Sequence, residues 1–232
     1  NCFLPLGDYK TTTLIPYLLC IINSRILPSK IIFCSFKSYH QHLSLFFPKN
    51  NSLVINNGYD IELFSPKNNL ASSYISKFKL PSDTFLFGTV ARWHPSKDHL
   101  TLFKAIDLLR SEITNFKIVL AGEGMHLQNN DLVKQLSKYQ IINYVLLVDQ
   151  ISNIENFYNN INCHVLSSNT ESFPNVLLEA MASGTFCIAT DVGDCKQILS
   201  SNGLLIQKEN PYELAQAMKN VYRLNIDEIK ST

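Results

Sequence analysis

The sequence predicts a doubly wound α/β fold: a parallel sheet with helices on both faces. Two observations carry this. Short β-branched and aromatic runs recur at residues 31–35, 53–56, 85–91, 117–121, 145–148, 162–167, 185–190 and 204–206, and most are near-continuously apolar. Strands buried on both faces read this way, whereas strands with one wet face alternate. From residue 85 onward helical patterns fall between the runs, and regular strand–helix alternation is the signature of a parallel sheet with crossover helices. The apolar fraction of 46% against 17% charged supplies a sizeable core and excludes wholesale disorder.

Taken in order, the first fifty residues offer a helical pattern over 12–23, the strand 31–35 and a second helical pattern over 37–45, which is too little to close a domain by itself. The strand 53–56 runs into a turn at Asn56–Asp60, and a polar stretch, 65–73, separates it from the main α/β block. In that block the helix 99–113 sets Leu102, Ala105, Ile106, Leu109 and Ile113 on one stripe. Further helices are expected over 131–139, 154–158, 175–182 and 212–224. Asn210-Pro211 is a good start for the last, a capping residue before a proline. No internal repeat is visible.

Composition excludes several classes. A net charge of +1 gives no basic field for nucleic acid. The six cysteines form no C-x-x-C pair and lie mostly in apolar runs, which reads as buried reduced thiols in a cytosolic protein. The six histidines complete no metal-ligand spacing, so no metal site is expected. The apolar run 14–22 is nine residues long with Pro16 inside it, too short to span a bilayer, and no signal peptide precedes it. The chain opens on Asn1, which reads as a start within a longer protein.

In doubly wound sheets, ligands bind in the crevice beyond the carboxyl ends of the strands. Three loops there could carry chemistry. The loop after the strand 85–91 brings Arg92 and Lys97 to a helix start, with Trp93, His94 and His99 beside them. A guanidinium fork and a compact ammonium suit a diphosphate, and they stabilise charge that grows on it as a leaving group. The alternative is a solvated basic loop. After the strand 162–167 comes Glu171-Ser172-Phe173-Pro174-Asn175-Val176-Leu177-Leu178-Glu179. Pro174 fits the first turn of a helix, whose free amides and dipole favour an anion. Glu171 then precedes that helix and Glu179 lies about two turns in, placed to accept from sugar hydroxyls and from a ribose diol. The alternative makes both ordinary helix-associated glutamates. Ala121-Gly122-Glu123-Gly124 allows close backbone approach but is a poor dinucleotide fingerprint, and a simple turn explains it equally well. His164, inside a strand, reads as a satisfied core histidine. Asp191-Val192-Gly193-Asp194 follows another strand and reads either as cleft lining or as a turn.

Together these motifs resemble the retaining family-4 glycosyltransferases of the GT-B fold, of the type that assembles bacterial polysaccharide and O-antigen. The matching pieces are Val54–Asp60 with Phe64-Ser65-Pro66, Gly88–Arg92 through Lys97-Asp98-His99, Ala121–Gly124, Glu171 through Gly184, Ala189–Gly193 and Gly203–Ile206. The resemblance implies a GT-B C-terminal Rossmann-like donor domain at 83–232, an interdomain segment at 53–82 carrying the Asn57-Gly58-Tyr59-Asp60 loop, and at 1–52 the remnant of an acceptor-binding N-terminal domain. It implies that Arg92 and Lys97 bind the donor diphosphate, Glu171 the donor sugar and Glu179 the ribose. Main-chain groups of Phe173, Pro174, Asn175 and Val176 would line the pocket. Asp149, with Val148 and Gln150, would lie against the base, and Gly58 and Gly122 near the cleft. Arg92, Lys97 and Glu171 would be the catalytic set.

The resemblance further implies hexosyl transfer with retention from a nucleotide-diphosphate sugar to a glycan or lipid-linked acceptor. It also implies that no metal or other cofactor is needed, and a place in the cytoplasm that leaves room for peripheral contact with the inner face of the membrane. Family members commonly carry glycine at the positions of Ala91 and Asp98. A non-catalytic nucleotide-sugar-binding module lacking the acceptor domain remains an alternative, as does another GT-B enzyme such as an epimerase. A dehydrogenase lacks its G-x-G-x-x-G here.

Overall fold

The structure, a computed structural model, describes residues 11–67 and 73–224. It opens with α1 (Thr11–Asn23), β1 (Ile31–Phe33), α2 (Phe36–Ser44) and β2 (Ser52–Val54). β1 and β2 pair in parallel as a two-stranded sheet, Ile32 opposite Leu53. α1 leaves Ile15, Leu18, Leu19 and Ile22 between 50% and 64% exposed. After α3 (Ser73–Lys77) the chain builds β3 (Phe85–Val90), α4 (His99–Leu109), β4 (Phe116–Ala121), α5 (Asn130–Lys138), β5 (Val145–Val148), α6 (Ile154–Asn159) and β6 (Cys163–Leu166). It ends with α7 (Asn175–Ala182), β7 (Phe186–Thr190), α8 (Cys195–Leu199), β8 (Gly203–Ile206) and α9 (Pro211–Arg223).

Six of these strands form one parallel sheet in the order β5-β4-β3-β6-β7-β8. The chain works outward from β3 to one edge, then returns to β6 and works outward to the other. This is the doubly wound order, with its switch point between β3 and β6. The expected α/β class is thus the observed one.

Strand side chains alternate between two apolar layers, as the period of two requires. Phe85, Phe87, Ile118, Leu120, Cys163, Val165 and Ile188 join α4, α5 and α9 in one cluster. Leu86, Val119, Ala121, Leu166, Cys187 and Ala189 join α6, α7 and α8 in the other. Both faces are dry, which is why the strands read as unbroken apolar runs. α9 starts as the sequence predicts: Pro211 takes the first helical position and Asn210 Oδ1 accepts from Glu213 N at 3.1 Å. The expected helix 99–113 is shorter, ending at Leu109, where Arg110 caps onto Ile106 O. Among the described residues no helix is long and apolar enough to cross a membrane.

Candidate functional site

β3 and β6 are neighbours, yet the chain leaves β3 for the α4 layer and β6 for the α7 layer, so a crevice opens at their carboxyl ends. Two loops fill its floor. After β3, a single 3₁₀ turn, Pro95–Lys97, is capped by His94, whose Nδ1 accepts from Ser96 N. Asp98 then adopts a left-handed conformation, φ 47°, and its Oδ1 accepts from Thr101 N to cap α4. Glycine adopts that backbone without steric cost. Aspartate is among the few other residues that tolerate it, because its short side chain bonds locally.

The loop after β6 is stitched to the first. Ser167 Oγ donates to Lys97 O at 3.1 Å, and Asn169 N donates to Ser96 O at 2.9 Å. Across this seam Lys97 Nζ donates to Glu171 Oε1 at 2.5 Å, and Ser168 Oγ donates to the same oxygen at 2.7 Å. The two side chains are only 23% and 12% exposed. Two residues 74 apart in sequence, one from each side of the switch point, therefore share a charge-assisted contact at the crevice.

The second group gathers on α7. Tyr158, buried at the end of α6, donates its hydroxyl to Glu179 Oε2 at 2.9 Å. Burial pushes the Glu179 carboxyl above its ordinary value, and the Tyr158 hydrogen bond pulls it partly back. Asn175 Oδ1 accepts from Asn57 Nδ2 at 2.8 Å and from Tyr59 OH at 2.7 Å. Gly58 is thereby held at the start of α7, with open space where a side chain would stand. The Tyr59 phenol is pushed up to about 12, first by burial and then by the nearby Glu179 carboxylate.

The third group lies at the ends of β3, β4 and β5. Gly122, at φ +131°, packs so closely that a Cβ would stand 2.5 Å from Ala91 O, and its amide reaches the carbonyls of Val148 and Asp149 at 3.3 Å. Asp149 and Arg92 are exposed here. Among the described residues Arg92 enters no ion pair, and its carbonyl accepts from His99 Nε2 at 3.1 Å. Trp93 packs beneath the loop, stacked on His99 with ring centroids 5.2 Å apart. Two cavities flank the crevice. One of about 290 Å³ is lined by Trp93, Asp98 and His99, and one of about 310 Å³ by Tyr74, Val148 and Gln150. Neither has Lys97, Glu171 or Glu179 in its wall.

Of the residues singled out by sequence, the structure joins Lys97 to Glu171 and Gly122 to Asp149 and the Arg92 backbone, and it ties the neighbours of Gly58, Asn57 and Tyr59, to Asn175. Phe173 and Val176 flank the α7 start half-buried. Two expectations need correction. Pro174 is not in the first turn of α7 but one residue before it, in extended conformation at φ −74°, ψ 98°, so helical amides begin at Asn175. His164 is not a satisfied core histidine: it is wholly buried and neither ring nitrogen has a partner, so burial pushes its pKa down to about 3. Sequence reasoning missed Tyr158 and Ser168 and took Tyr59 only as part of the Asn57–Asp60 loop, since no local pattern ties them to the glutamates. Among the described residues no group of three or more His, Cys, Asp and Glu is placed to hold a metal ion.

Comparison with known proteins fits this architecture. The chain is 30% identical over 138 residues to the EpsF protein of Bacillus subtilis (strain 168), covering 60% of this chain and 35% of that one. It is 26% identical over 201 residues to the capsular polysaccharide biosynthesis glycosyltransferase CapM of Staphylococcus aureus, covering 83% of this chain and 51% of that one. The chain thus spans between about a third and a half of these relatives' length. Among solved structures, Anabaena Alr3699/HepE in complex with UDP-glucose has the same fold, with a TM-score of 0.82 at 18% identity over 98% of this chain and 67% of that one. The profile of the glycosyl transferases group 1 covers residues 84–223, more than half of the chain and the entire six-stranded sheet, and the chain therefore belongs to that family.

Proposed function

We propose that the crevice between β3 and β6 holds a nucleotide-diphosphate sugar, and that the protein transfers its hexosyl group, with retention, to a glycan or lipid-linked acceptor in surface-polysaccharide biosynthesis. The observation that carries this is the Lys97–Glu171 pair at the switch point, next to the amides that open α7. In this reading Arg92 and Lys97 neutralise the diphosphate. They stabilise it most as the bond from the anomeric carbon breaks and charge collects on the departing oxygen. Glu171 accepts from sugar hydroxyls. Glu179, with one oxygen held by Tyr158, offers the other to the ribose. The backbone from Phe173 to Val176 lines the phosphate–sugar path, Asp149 lies beside the base, and Gly58 and Gly122 keep the approach open.

The nucleotide sugar is substrate, and the two cations, rather than a resident cofactor, take the leaving charge. Similarity to CapM and the Alr3699/HepE complex with UDP-glucose support a sugar nucleotide and a polysaccharide pathway. Such work belongs at the cytoplasmic face of the membrane. Titration calorimetry with UDP and GDP tests the diphosphate assignment. Arg92→Ala and Lys97→Ala should each weaken binding by about 1–3 kcal/mol, the range for a lost charge-assisted contact. Unchanged affinity in both variants would remove the assignment.

A further inference from the structure

Asp194, at the start of α8, is 3% exposed. Its carboxylate accepts from two backbone amides more than 150 residues earlier in the chain: Phe36 N to Oδ2 at 2.7 Å and Lys37 N to Oδ1 at 2.9 Å. These are the first two amides of α2. The third, Ser38 N, donates to Ser35 Oγ at 3.0 Å. Helix starts leave such amides without intrahelical partners, and a carboxylate there also meets the positive end of the dipole. α2 is therefore capped by a residue from the far end of the chain.

The same residue grips the loop that carries Glu171. Asp194 N donates to Ser172 O at 3.1 Å, and Ser172 Oγ lies 3.1 Å from Ser35 Oγ. Gly193, at φ +56°, lies so near that a Cβ would stand 2.6 Å from both Glu171 O and Ser172 O. One residue thus ties the start of α2 and the Glu171–Ser172 peptide into a single unit.

We infer that Asp194 is a positioning residue that sets the Glu171 carboxylate against the donor sugar. The inference rests on the sugar-contact role proposed for Glu171. Losing the carboxylate leaves the bond from Asp194 N to Ser172 O in place but releases the α2 start and with it Ser35, whose hydroxyl meets Ser172 Oγ beside Glu171, while the β3 loop that meets the diphosphate keeps its own bonds. Sugar recognition should suffer and diphosphate recognition should not.

The test compares UDP with UDP-glucose, and GDP with GDP-mannose, by titration calorimetry on the full chain. The variants are Asp194→Ala and the near-isosteric Asp194→Asn, measured where circular dichroism reports them folded. For the pair that the unsubstituted chain binds, the sugar nucleotide should lose about tenfold in affinity with alanine and less with asparagine, while the bare diphosphate holds its affinity. A general loss of folded protein would lower both ligands together. Equal losses for both ligands, or no change in either, would overturn the inference and leave the donor reading standing. If the unsubstituted chain binds none of the four probes, the donor reading fails and the inference falls with it.

Discussion

Removing one hydroxyl, by Tyr158→Phe, tests how the α7 carboxylate is held. The Tyr158 side chain is buried and its hydroxyl donates to Glu179 Oε2 at 2.9 Å. A hydrogen bond to a charged acceptor contributes about 1.5–3 kcal/mol, and because Glu179 is only half-buried the lower end applies, about 1.5 kcal/mol at pH 8. The loss should depend on pH in a defined sense. Burial raises the Glu179 pKa above its unfolded value of about 4.3, so over that window the folded state holds more protons than the unfolded one. Its contribution to stability is therefore fully present below the unfolded value and is lost as pH rises through the folded one. The Tyr158 hydroxyl counters that loss by favouring the charged form. Without it the folded pKa climbs further, and the variant pays most where Glu179 must ionise. Urea unfolding should separate wild type and variant clearly at pH 8 and bring them nearly together close to pH 4. An equal deficit at both pH values would refute the reasoning.

Two further substitutions probe the scaffold. His164 is wholly buried with both ring nitrogens unpartnered and its pKa pushed down to about 3, so the unfolded chain takes up a proton there that the folded chain refuses. Its penalty should appear as pH falls below about 6.5 and grow toward pH 3, by up to about 1.4 kcal/mol per unit. His164→Leu should flatten the acid limb of the stability profile measured by urea unfolding, and an unchanged limb would contradict this. Gly193→Ala forces a left-handed backbone on a residue whose Cβ would meet two carbonyl oxygens at 2.6 Å. The expected loss is about 2–4 kcal/mol, from backbone strain and overpacking together. A loss under about 1 kcal/mol in thermal or urea unfolding would mean that the loop yields freely.

The fold was legible where local pattern and tertiary burial agree. β3, β4, β6 and β7 lie between two apolar layers, so their residues have no wet face to encode and read as continuous runs. The short helices α3 and α8, of five residues each, escaped because a single turn and a half carries no helical period. Lys97 and Glu171 could be brought to one crevice from sequence because both follow strands, whose carboxyl ends hold the ligand in a doubly wound sheet, and because the resemblance pairs their loops; that β3 and β6 are neighbours came with the structure. What topology could not supply is the side-chain pairing around them. Tyr158 and Glu179 meet only because α6 and α7 pack side by side, and Asp194 meets α2 only because the start of α8 lies against the start of α2. Neither angle is written in a window of residues. His164 misled for a related reason: a polar residue in a strand implies a partner, whereas here the ring packs edge-on against Tyr158, centroids 5.6 Å apart, and both nitrogens go without one.

The charges at the switch point carry one more consequence. Lys97 and Glu171 already neutralise each other across a 2.5 Å contact that is largely shielded from water. A diphosphate entering the crevice must draw Lys97 from that carboxylate, so what Lys97 contributes is the difference between two charge-assisted contacts. Arg92 is exposed and, among the described residues, enters no ion pair, so it surrenders only hydration when it meets a phosphate. In the same nucleotide titrations, therefore, Arg92→Ala should weaken binding more than Lys97→Ala, although Lys97 is the less exposed cation. A larger loss for Lys97→Ala than for Arg92→Ala would refute the exchange argument.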